Sequence, residues 1–246
     1  MTALKLELDN GFFKVPTPVG LDIGIAARRA NPVDYTGDSD EIRLREKELL
    51  AARTGISADR VLTLNQVHGD TIVEIDPSSA GKAPFVAEAD GMLTAFPDIC
   101  LVIRTADCIP VFVYDETRRV LGAVHSGWRG CRLDIAGKLV DLIRRRHGSS
   151  PGDLVAFILP GIGPDSYTVN DDVASHFPGH VVRDNASIRL DLPGSIRASL
   201  TERGLRRERI LTARRCTLGE HELFYSHRAG HRGRNLNFGL MSSIDN

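Results

Sequence analysis

Three residues with metal-binding side chains, His68, Cys108 and His125, each stand where an apolar run meets a turn. Because the hydrogen bonds of a sheet fix the backbone, ligands at strand ends are held more precisely than ligands on free loops. One thiolate and two imidazoles form a borderline-soft ligand set that suits Zn²⁺ and tolerates copper. The three residues are therefore a candidate metal site, although spacing alone leaves open whether their side chains converge.

Three protein ligands would leave a fourth position for water or substrate, which is the arrangement of a catalytic zinc site. Zinc in such a site lowers the pKa of its bound water toward neutrality. Asp107 or Asp90 could orient a ligand imidazole by a hydrogen bond to its second ring nitrogen. Aspartate is also common in tight turns for conformational reasons alone, so both interpretations of these residues stay open.

The same atoms allow a second chemistry, in which Cys108 is a nucleophile activated by His125, as in cysteine hydrolases and amidases. Metal binding and nucleophilic attack both use the thiolate, so the sequence does not separate them. Cys100 and Cys216 are interpreted as small apolar residues, and Cys131 has no partner close in the sequence.

The segment that follows His125 could bind an anionic substrate. Residues 126–130 read Ser-Gly-Trp-Arg-Gly and lead into a predicted helix, whose positive end and backbone amides favour anions. Arg129 adds charge, and Trp128 offers a flat face for a base, unless it is a core aromatic. A basic segment near the C-terminus could clamp phosphate or be a solvated surface, and it contains His227, Arg228, His231, Arg232 and Arg234.

The elements that must position these residues follow from the apolar pattern. Ser39 or Asp40 can cap a helix over 39–53, which Gly55 would end. Near-continuous apolar runs predict strands at 99–105, 110–115, 120–125 and 154–160, typical of a sheet buried on both faces. We also predict helices over 132–146, 171–177 and 194–203, a strand–turn–strand unit over 60–76, a loop over 81–91 and a strand near 209–216.

Length and composition predict one α/β domain over residues 1–246, with a mixed, largely buried central sheet flanked by helices. The 31 Lys and Arg residues nearly balance the 32 Asp and Glu residues, so no net field recruits nucleic acid or a membrane. No apolar run reaches the roughly 18 residues of a membrane span. Four scattered cysteines indicate a reducing cytoplasm, and we expect a monomer or homodimer.

Several separated motifs resemble the laccase-domain, YfiH-like family, over about residues 61–240. They are Gln-Val-His-Gly (66–69), Ala-Asp-Gly-Met (89–92), Thr-Ala-Asp-Cys-Ile-Pro (105–110), Val-His-Ser-Gly-Trp-Arg-Gly (124–130), Gly-Ile-Gly-Pro (161–164) and Phe-Tyr-Ser-His-Arg (224–228). The resemblance implies a catalytic zinc held by His68, Cys108 and His125. It also implies phosphorolysis of adenosine, inosine and methylthioadenosine, with adenosine deamination in some members and a peptidoglycan-editing role associated with others.

The chain departs from the family pattern at two points. Asp165 and Ser166 follow Gly-Ile-Gly-Pro, where the family usually has cysteine, and His227 replaces the usual aromatic before the late arginine. Preference for base or phosphate could therefore differ from that of typical members. The older family name also implies several coppers, yet none of the eight histidines forms a His-x-His pair. Copper oxidation of phenols would therefore be adventitious, through a metal at the same three ligands.

These observations predict a zinc-dependent purine nucleoside phosphorylase. Phosphate would attack the anomeric carbon, Arg129 and Arg228 would neutralise it, and Trp128 would contact the nucleoside. We assign Asp107 a catalytic role and Asp90 a substrate contact. The alternatives are a Cys–His hydrolase or amidase acting on peptidoglycan precursors, a copper-dependent polyphenol oxidase, and a zinc-stabilised binding domain.

Overall fold

The computed structural model describes residues 3–32, 39–80 and 87–243, in which two large β-sheets and one small sheet are combined with five α-helices. The strands are β1 (Ala3–Leu4), β2 (Glu7–Asp9), β3 (Phe12–Lys14), β4 (Leu21–Ala26), β5 (Val61–Leu62), β6 (Ile72–Ile75), β7 (Gly91–Thr94), β8 (Cys100–Thr105), β9 (Ile109–Asp115), β10 (Val120–Ser126), β11 (Val155–Ile158), β12 (Thr168–Val169), β13 (Val181–Arg183), β14 (Ile188–Leu190), β15 (Ile210–Ala213) and β16 (Asn235–Met241). The helices are α1 (Asp40–Thr54), α2 (Trp128–Arg132), α3 (Ile135–His147), α4 (Asp171–Ser175) and α5 (Leu192–Glu202).

The seven-stranded sheet has the order β1-β15-β11-β9-β10-β7-β6 and is mixed. Strand β10 is antiparallel to both β9 and β7, and the β9 pairing sets His125 opposite Pro110. Strand β6 runs parallel to β7, and β15 runs parallel to β11. The inner strands β9 and β10 are buried along their whole length, which explains why their sequences are continuously apolar.

The six-stranded sheet has the order β2-β3-β4-β16-β8-β5 and packs face to face against the first. Phe112 from β9 approaches Gly239 of β16 so closely that a Cβ atom there would lie 2.7 Å from the ring. Helices α3 and α5 cover the outer face of the seven-stranded sheet, and α1 covers the outer face of the other. The α/β class and the mixed, buried sheet predicted from the sequence are confirmed, with the buried strands divided between two sheets.

The basic C-terminal segment ends in strand β16, at the centre of the six-stranded sheet, which the sequence analysis did not predict. Leu236 and Phe238 are buried on the face toward α1, whereas Asn237 points the other way. The Asn237 side chain is buried and donates to the carbonyl of Ile103 at 2.9 Å and to the hydroxyl of Thr105 at 3.0 Å. A paired polar side chain thus fits inside a sheet, although its type is typical of loops.

The helix predicted over 132–146 is instead two helices, because the chain turns at Leu133 and Asp134. Asp134 has a φ of 58° and accepts a hydrogen bond from the Gly137 amide, so α3 begins only at Ile135. The first helix, α2, begins four residues earlier than predicted, at Trp128. The predicted end is confirmed, since Gly148 caps α3 in the left-handed conformation.

The remaining predictions hold with small shifts of boundary. Helix α1 is capped by Ser39 and ended by Gly55, as predicted. The two arms predicted over 60–76 are strands β5 and β6, but they lie in different sheets. Of the loop predicted over 81–91, residues 81–86 lie outside the described residues and Gly91 begins β7. Within the described ranges, no helix is both long and apolar enough to cross a membrane.

Candidate metal centre and adjoining cavity

The strand directions bring the predicted ligands to one end of the two-sheet sandwich. The chain crosses from the six-stranded to the seven-stranded sheet twice, between β5 and β6 and between β8 and β9. His68 lies in the first crossing and Cys108 in the second. Because β5 is parallel to β8 and β10 is antiparallel to β9, both crossings meet the C-terminal end of β10, which carries His125.

The structure brings His68, Cys108 and His125 together. One nitrogen of each imidazole and the Cys108 sulfur all lie within 4.8 Å of one another, and the two rings meet edge to face. His125 is buried, Cys108 is half-buried and His68 is exposed. The set therefore has a protected side and an open side, which suits a metal ion that must also reach a substrate.

Asp90 organises this set from behind. It is fully buried at the start of β7, and its carboxylate accepts hydrogen bonds from the backbone amides of Val67, His68 and Gly69 at 3.2, 3.0 and 2.6 Å. These bonds hold the turn in which His68 takes a positive φ of 61°. The same carboxylate lies 2.8 Å from Nδ1 of His125. That contact leaves Nε2 of His125 as the nitrogen available to a metal.

The surroundings of Cys108 favour its thiolate. Burial alone would raise the pKa of the thiol, but His125 and His68 beside it lower this pKa to about 6. In return, the pKa of His125, which burial would lower, is raised by Cys108 and Asp90. Burial and the hydrogen bonds from His125 and Gly69 oppose each other at Asp90, and the net effect lowers the pKa of its carboxyl. The thiolate is the form in which cysteine binds a metal, whereas His125 must release the proton on its ligating nitrogen when a metal binds.

Gly127 provides space at the sulfur. A Cβ atom at this position would lie 2.8 Å from Cys108 Sγ and 3.5 Å from the His68 ring. Gly127, the first glycine of the Ser-Gly-Trp-Arg-Gly segment, is therefore needed because the chain passes so close to the ligand set. The anion site predicted for residues 126–130 is not supported, because α2, the helix that begins there, has only five residues.

Asp107 was predicted to orient an imidazole or act in catalysis, but its carboxylate points to other partners. It accepts from the Thr217 hydroxyl at 2.7 Å and from the Arg228 amide at 2.8 Å. Its backbone carbonyl accepts from the Ile162 amide at 2.8 Å, and its φ is 84°. Asp107 therefore joins the turn that carries Cys108 to three distant positions of the chain.

A cavity of about 350 Å³ has Trp128, Tyr167, Asn170 and Arg228 on its wall, and none of the three candidate ligands lines it. Two contacts connect it to the ligand set: Gly127, which packs against Cys108, directly precedes Trp128, and Asp107, which precedes Cys108, binds the Arg228 amide. The Arg228 guanidinium lies 5.3 Å from the Tyr167 ring centre and donates to the carbonyl of Thr168 at 3.0 Å. Trp128 is half-buried on this wall. Two of the predicted substrate residues, Trp128 and Arg228, thus share one cavity with aromatic surface and positive charge.

The other predicted substrate groups lie elsewhere. Arg129 is exposed and stacks on Trp128, with its guanidinium carbon 4.6 Å from the ring centre. Asp90 has no exposed surface with which to contact a substrate. Of the basic C-terminal segment, Arg228 lines the cavity, whereas Arg234 donates to the backbone carbonyl of Arg232. A larger cavity of about 840 Å³, lined by α5 residues and Arg207, contains none of the predicted site residues.

Sequence analysis missed several residues that organise this region. Gln66 exchanges two hydrogen bonds with the backbone of Arg104, at 2.9 and 2.8 Å, and so ties the first crossing to the end of β8. Arg104 in turn forms a buried ion pair with Glu46 of α1 at 2.8 Å. The position of Gln66, two residues before a predicted metal ligand, could have indicated its role in holding that ligand's turn. Nothing in the pattern around Thr217 indicated its contact with Asp107.

A family model described as multi-copper polyphenol oxidoreductase laccase matches residues 25–242 of the chain. The chain belongs to this laccase-like family. A purine nucleoside phosphorylase of Deinococcus radiodurans is 35% identical over 86% of the chain and 83% of its own length. The purine nucleoside phosphorylase YlmD of Geobacillus stearothermophilus is 30% identical over 83% of the chain and 80% of its own length.

Solved structures support the same assignment. The crystal structure of YlmD from Geobacillus stearothermophilus superposes with a TM-score of 0.89 at 27% identity, covering 99% of this chain and all of that one. The YfiH protein of Bacillus licheniformis gives the same TM-score at 26% identity, covering 96% of this chain and 99% of that one. In the described ranges, His68, Cys108 and His125 are the one group of three or more His, Cys, Asp or Glu residues spaced to hold a metal. That arrangement fits one ion rather than the several coppers of the laccase-like family name.

Proposed function

We propose that the protein is a zinc-dependent purine nucleoside phosphorylase that cleaves adenosine, inosine and S-methyl-5′-thioadenosine. The observation that carries this proposal is the convergence of two imidazoles and one thiolate, connected through Gly127 and Asp107 to a cavity lined by Trp128, Tyr167 and Arg228. Relatives that are about 30% identical over most of the chain carry the same activity in their names. The reaction needs ligands for a metal ion, an aromatic surface that binds the base and a positive charge that binds phosphate, and these residues supply all three.

His68, Cys108 and His125 would hold the ion. The residues fit this task because the thiolate is favoured at Cys108, Asp90 binds Nδ1 of His125 and so leaves Nε2 on the side of Cys108, and Gly127 leaves room at the sulfur. Their softness matches zinc better than magnesium or calcium, which prefer oxygen ligands. When bound, zinc supplies Lewis-acid stabilisation of the negative charge that develops during the reaction.

Arg228 would bind phosphate in the cavity, and Arg129, which stacks on Trp128 but does not line the cavity, would add positive charge nearby. The backbone of Arg228 is held by Asp107 and its guanidinium by Thr168, so the positive group is oriented before phosphate arrives. A phosphate oxygen then forms a bond to C1′ of the ribose as the bond from C1′ to the base breaks. The base leaves with the bonding electrons and takes up a proton. The second product is ribose 1-phosphate, or 5-methylthioribose 1-phosphate when methylthioadenosine is the substrate.

Trp128 and Tyr167 would bind the purine through their rings. Aromatic stacking is tolerant of the exact base, which suits a set of purine substrates. In this proposal Asp90 positions the ligands and Asp107 positions Arg228, so neither carboxylate contacts the substrate. The protein would act in the cytoplasm, where its four cysteines stay reduced, and as a monomer or homodimer.

The test is to incubate purified protein with inosine, adenosine or methylthioadenosine, with and without phosphate, and to measure free base and ribose 1-phosphate. We expect both products only when phosphate is present, and about one zinc per chain by elemental analysis. Release of base at the same rate without phosphate would contradict phosphorolysis. We propose deamination of adenosine as a side activity of the same site, and inosine formed from adenosine without phosphate would measure it.

A hydrolase is the second candidate, and one observation favours it. Cys108, His125 and Asp90 form a thiol–imidazole–carboxylate series, with the thiol pKa lowered to about 6. Such a series can activate cysteine for attack on an amide, for example in a peptidoglycan precursor. Removal of metal separates the two candidates, because a thiol enzyme would keep its activity in chelator and the proposed phosphorylase would lose it. Copper added to the metal-free protein would test oxidation of phenols at the same three residues.

A further inference from the structure

Asn170 occupies the wall of the cavity that holds Trp128 and Arg228, and its amide is oriented by the helix that follows it. It is the N-cap of α4, and its Oδ1 accepts a hydrogen bond from the Val173 amide at 3.1 Å. Because a backbone N–H can bond only to the oxygen of the side-chain amide, this contact fixes which end of the amide faces the helix. The Nδ2 group is therefore turned away from α4.

Nδ2 of Asn170 is available to a ligand. In residues 3–32, 39–80 and 87–243, this group donates to no protein acceptor, and the side chain is exposed. Its neighbours on the wall include the apolar side chains of Val169 and Val173. The Thr168 hydroxyl already accepts from Arg228 at 3.3 Å. Asn170 thus offers an oriented pair of N–H donors on the cavity wall.

Purines differ at the edge that such a donor would meet. A 6-oxopurine presents the acceptor O6 beside the acceptor N7, whereas a 6-aminopurine presents an N–H₂ donor in place of O6. Asparagine pairs with adenine by using both its oxygen and its nitrogen. Here the oxygen is turned toward Val173, so the nitrogen alone is presented.

We propose that Asn170 is a specificity-determining residue that favours 6-oxopurine nucleosides, such as inosine, over 6-aminopurine nucleosides, such as adenosine. This inference rests on the proposed function, because it places the purine in the cavity beside the metal ligands. Its N–H donors pair with O6 of the oxopurine. With the aminopurine, two donors face each other and both lose hydrogen bonds to water without replacement.

The decisive variant is Asn170→Asp, which keeps an N-cap acceptor for Val173 and replaces the donor by an acceptor. We expect the ratio of kcat/KM for inosine to that for adenosine to fall by about tenfold, in line with the cost of one unmatched hydrogen bond. A ratio cancels any common effect of the new charge on phosphate binding near Arg228. Asn170→Ser also keeps the cap but removes both donors, and its ratio should lie between those of the other two proteins.

Ser39→Asp is the matched control. Ser39 caps α1 as Asn170 caps α4, accepting from the Ile42 amide, so this variant adds a carboxylate at a helix N-cap outside the cavity wall. We expect the substrate ratio of Ser39→Asp to be unchanged. Thermal unfolding of all variants checks that the caps are preserved.

The outcomes separate this inference from the proposed function. If both nucleosides are phosphorolysed and Asn170→Asp leaves their ratio unchanged, Asn170 does not determine specificity. If the unaltered protein phosphorolyses neither nucleoside, the proposed function fails. Calorimetry with hypoxanthine and adenine then tests the role of Asn170 independently. If the protein binds hypoxanthine more tightly and Asn170→Asp reverses this preference, the N–H donors of Asn170 determine specificity. If Asn170→Asp leaves the preference unchanged, they do not.

Discussion

Asp90 and Asp107 are both buried next to the candidate metal centre, yet their carboxylates hold different parts of it. Asp90 binds three consecutive backbone amides and the ring of His125, so it fixes two of the three ligands. Asp107 binds the Thr217 hydroxyl and the Arg228 amide, so it fixes a wall of the cavity. In the proposed mechanism, one carboxylate therefore serves the metal side and the other the substrate side.

The comparison shows that the side chain of a residue adjacent to a ligand in the sequence need not form the hydrogen bonds that hold that ligand. Asp107 is adjacent to Cys108 in the chain, but its positive φ turns its side chain toward segments more than 100 positions away. Asp90 is 35 residues from His125 and contacts its ring directly. Four substitutions test this division between a metal side and a substrate side.

Loss of the thiolate should have the largest effect. In Cys108→Ser we expect loss of bound zinc and at least about a thousandfold loss of phosphorolysis, because several kcal/mol of charge stabilisation disappears with the ion. Elemental analysis and ribose 1-phosphate formation measure the two effects. Cys131→Ala is the control, since that cysteine lies outside the ligand set, and it should keep its zinc. Full activity in zinc-free Cys108→Ser would remove the metal from the mechanism.

Asp90→Asn should weaken the metal side specifically. The substituted amide cannot accept all four hydrogen bonds, so both the His68 turn and the His125 ring lose support. We expect zinc affinity to fall by about 10–100-fold, the usual cost of removing a carboxylate behind a ligand histidine. Titration against a competing chelator measures this affinity. An unchanged zinc affinity would show that the ligands are positioned without Asp90.

Asp107→Asn should weaken the substrate side while leaving zinc bound. Asparagine tolerates the positive φ at this position, so the turn is retained. We expect the KM for phosphate to rise by about tenfold, because the Arg228 amide loses a charged acceptor worth one strong hydrogen bond. Steady-state kinetics at varied phosphate concentration provide the measurement. If Asp107→Asn loses zinc as Asp90→Asn does, the two carboxylates do not have separate roles.

Trp128→Ala should give the smallest of these effects. Loss of one stacking surface should raise the KM for inosine by about three- to tenfold, the range expected for an aromatic contact, with zinc content unchanged. Leu133→Ala removes another exposed apolar side chain just after α2, outside the cavity wall, and is the control. An unaltered KM in Trp128→Ala would place the purine elsewhere.

Local patterns predicted the individual elements well. The runs that became β8, β9 and β10 are apolar because both of their faces are buried, and the caps of α1 are local features of a few residues. Strand β16 escaped prediction because Asn237 looks unsuited to a sheet until its partners Ile103 and Thr105 are known. The break between α2 and α3 depends on the left-handed conformation of Asp134, which the sequence did not signal.

The sequence by itself determined which residues could bind a metal, because thiol and imidazole are metal-binding groups in any fold, and the family resemblance pointed to the same three residues. Only the tertiary structure decided that Asp90 supports the ligands, that Asp107 supports Arg228 and that Trp128 and Asn170 face the same cavity. The physical reason is that ligand chemistry belongs to a side-chain type. Hydrogen-bond partnership depends on the path of the backbone between two sheets, which residues far apart in the chain determine together.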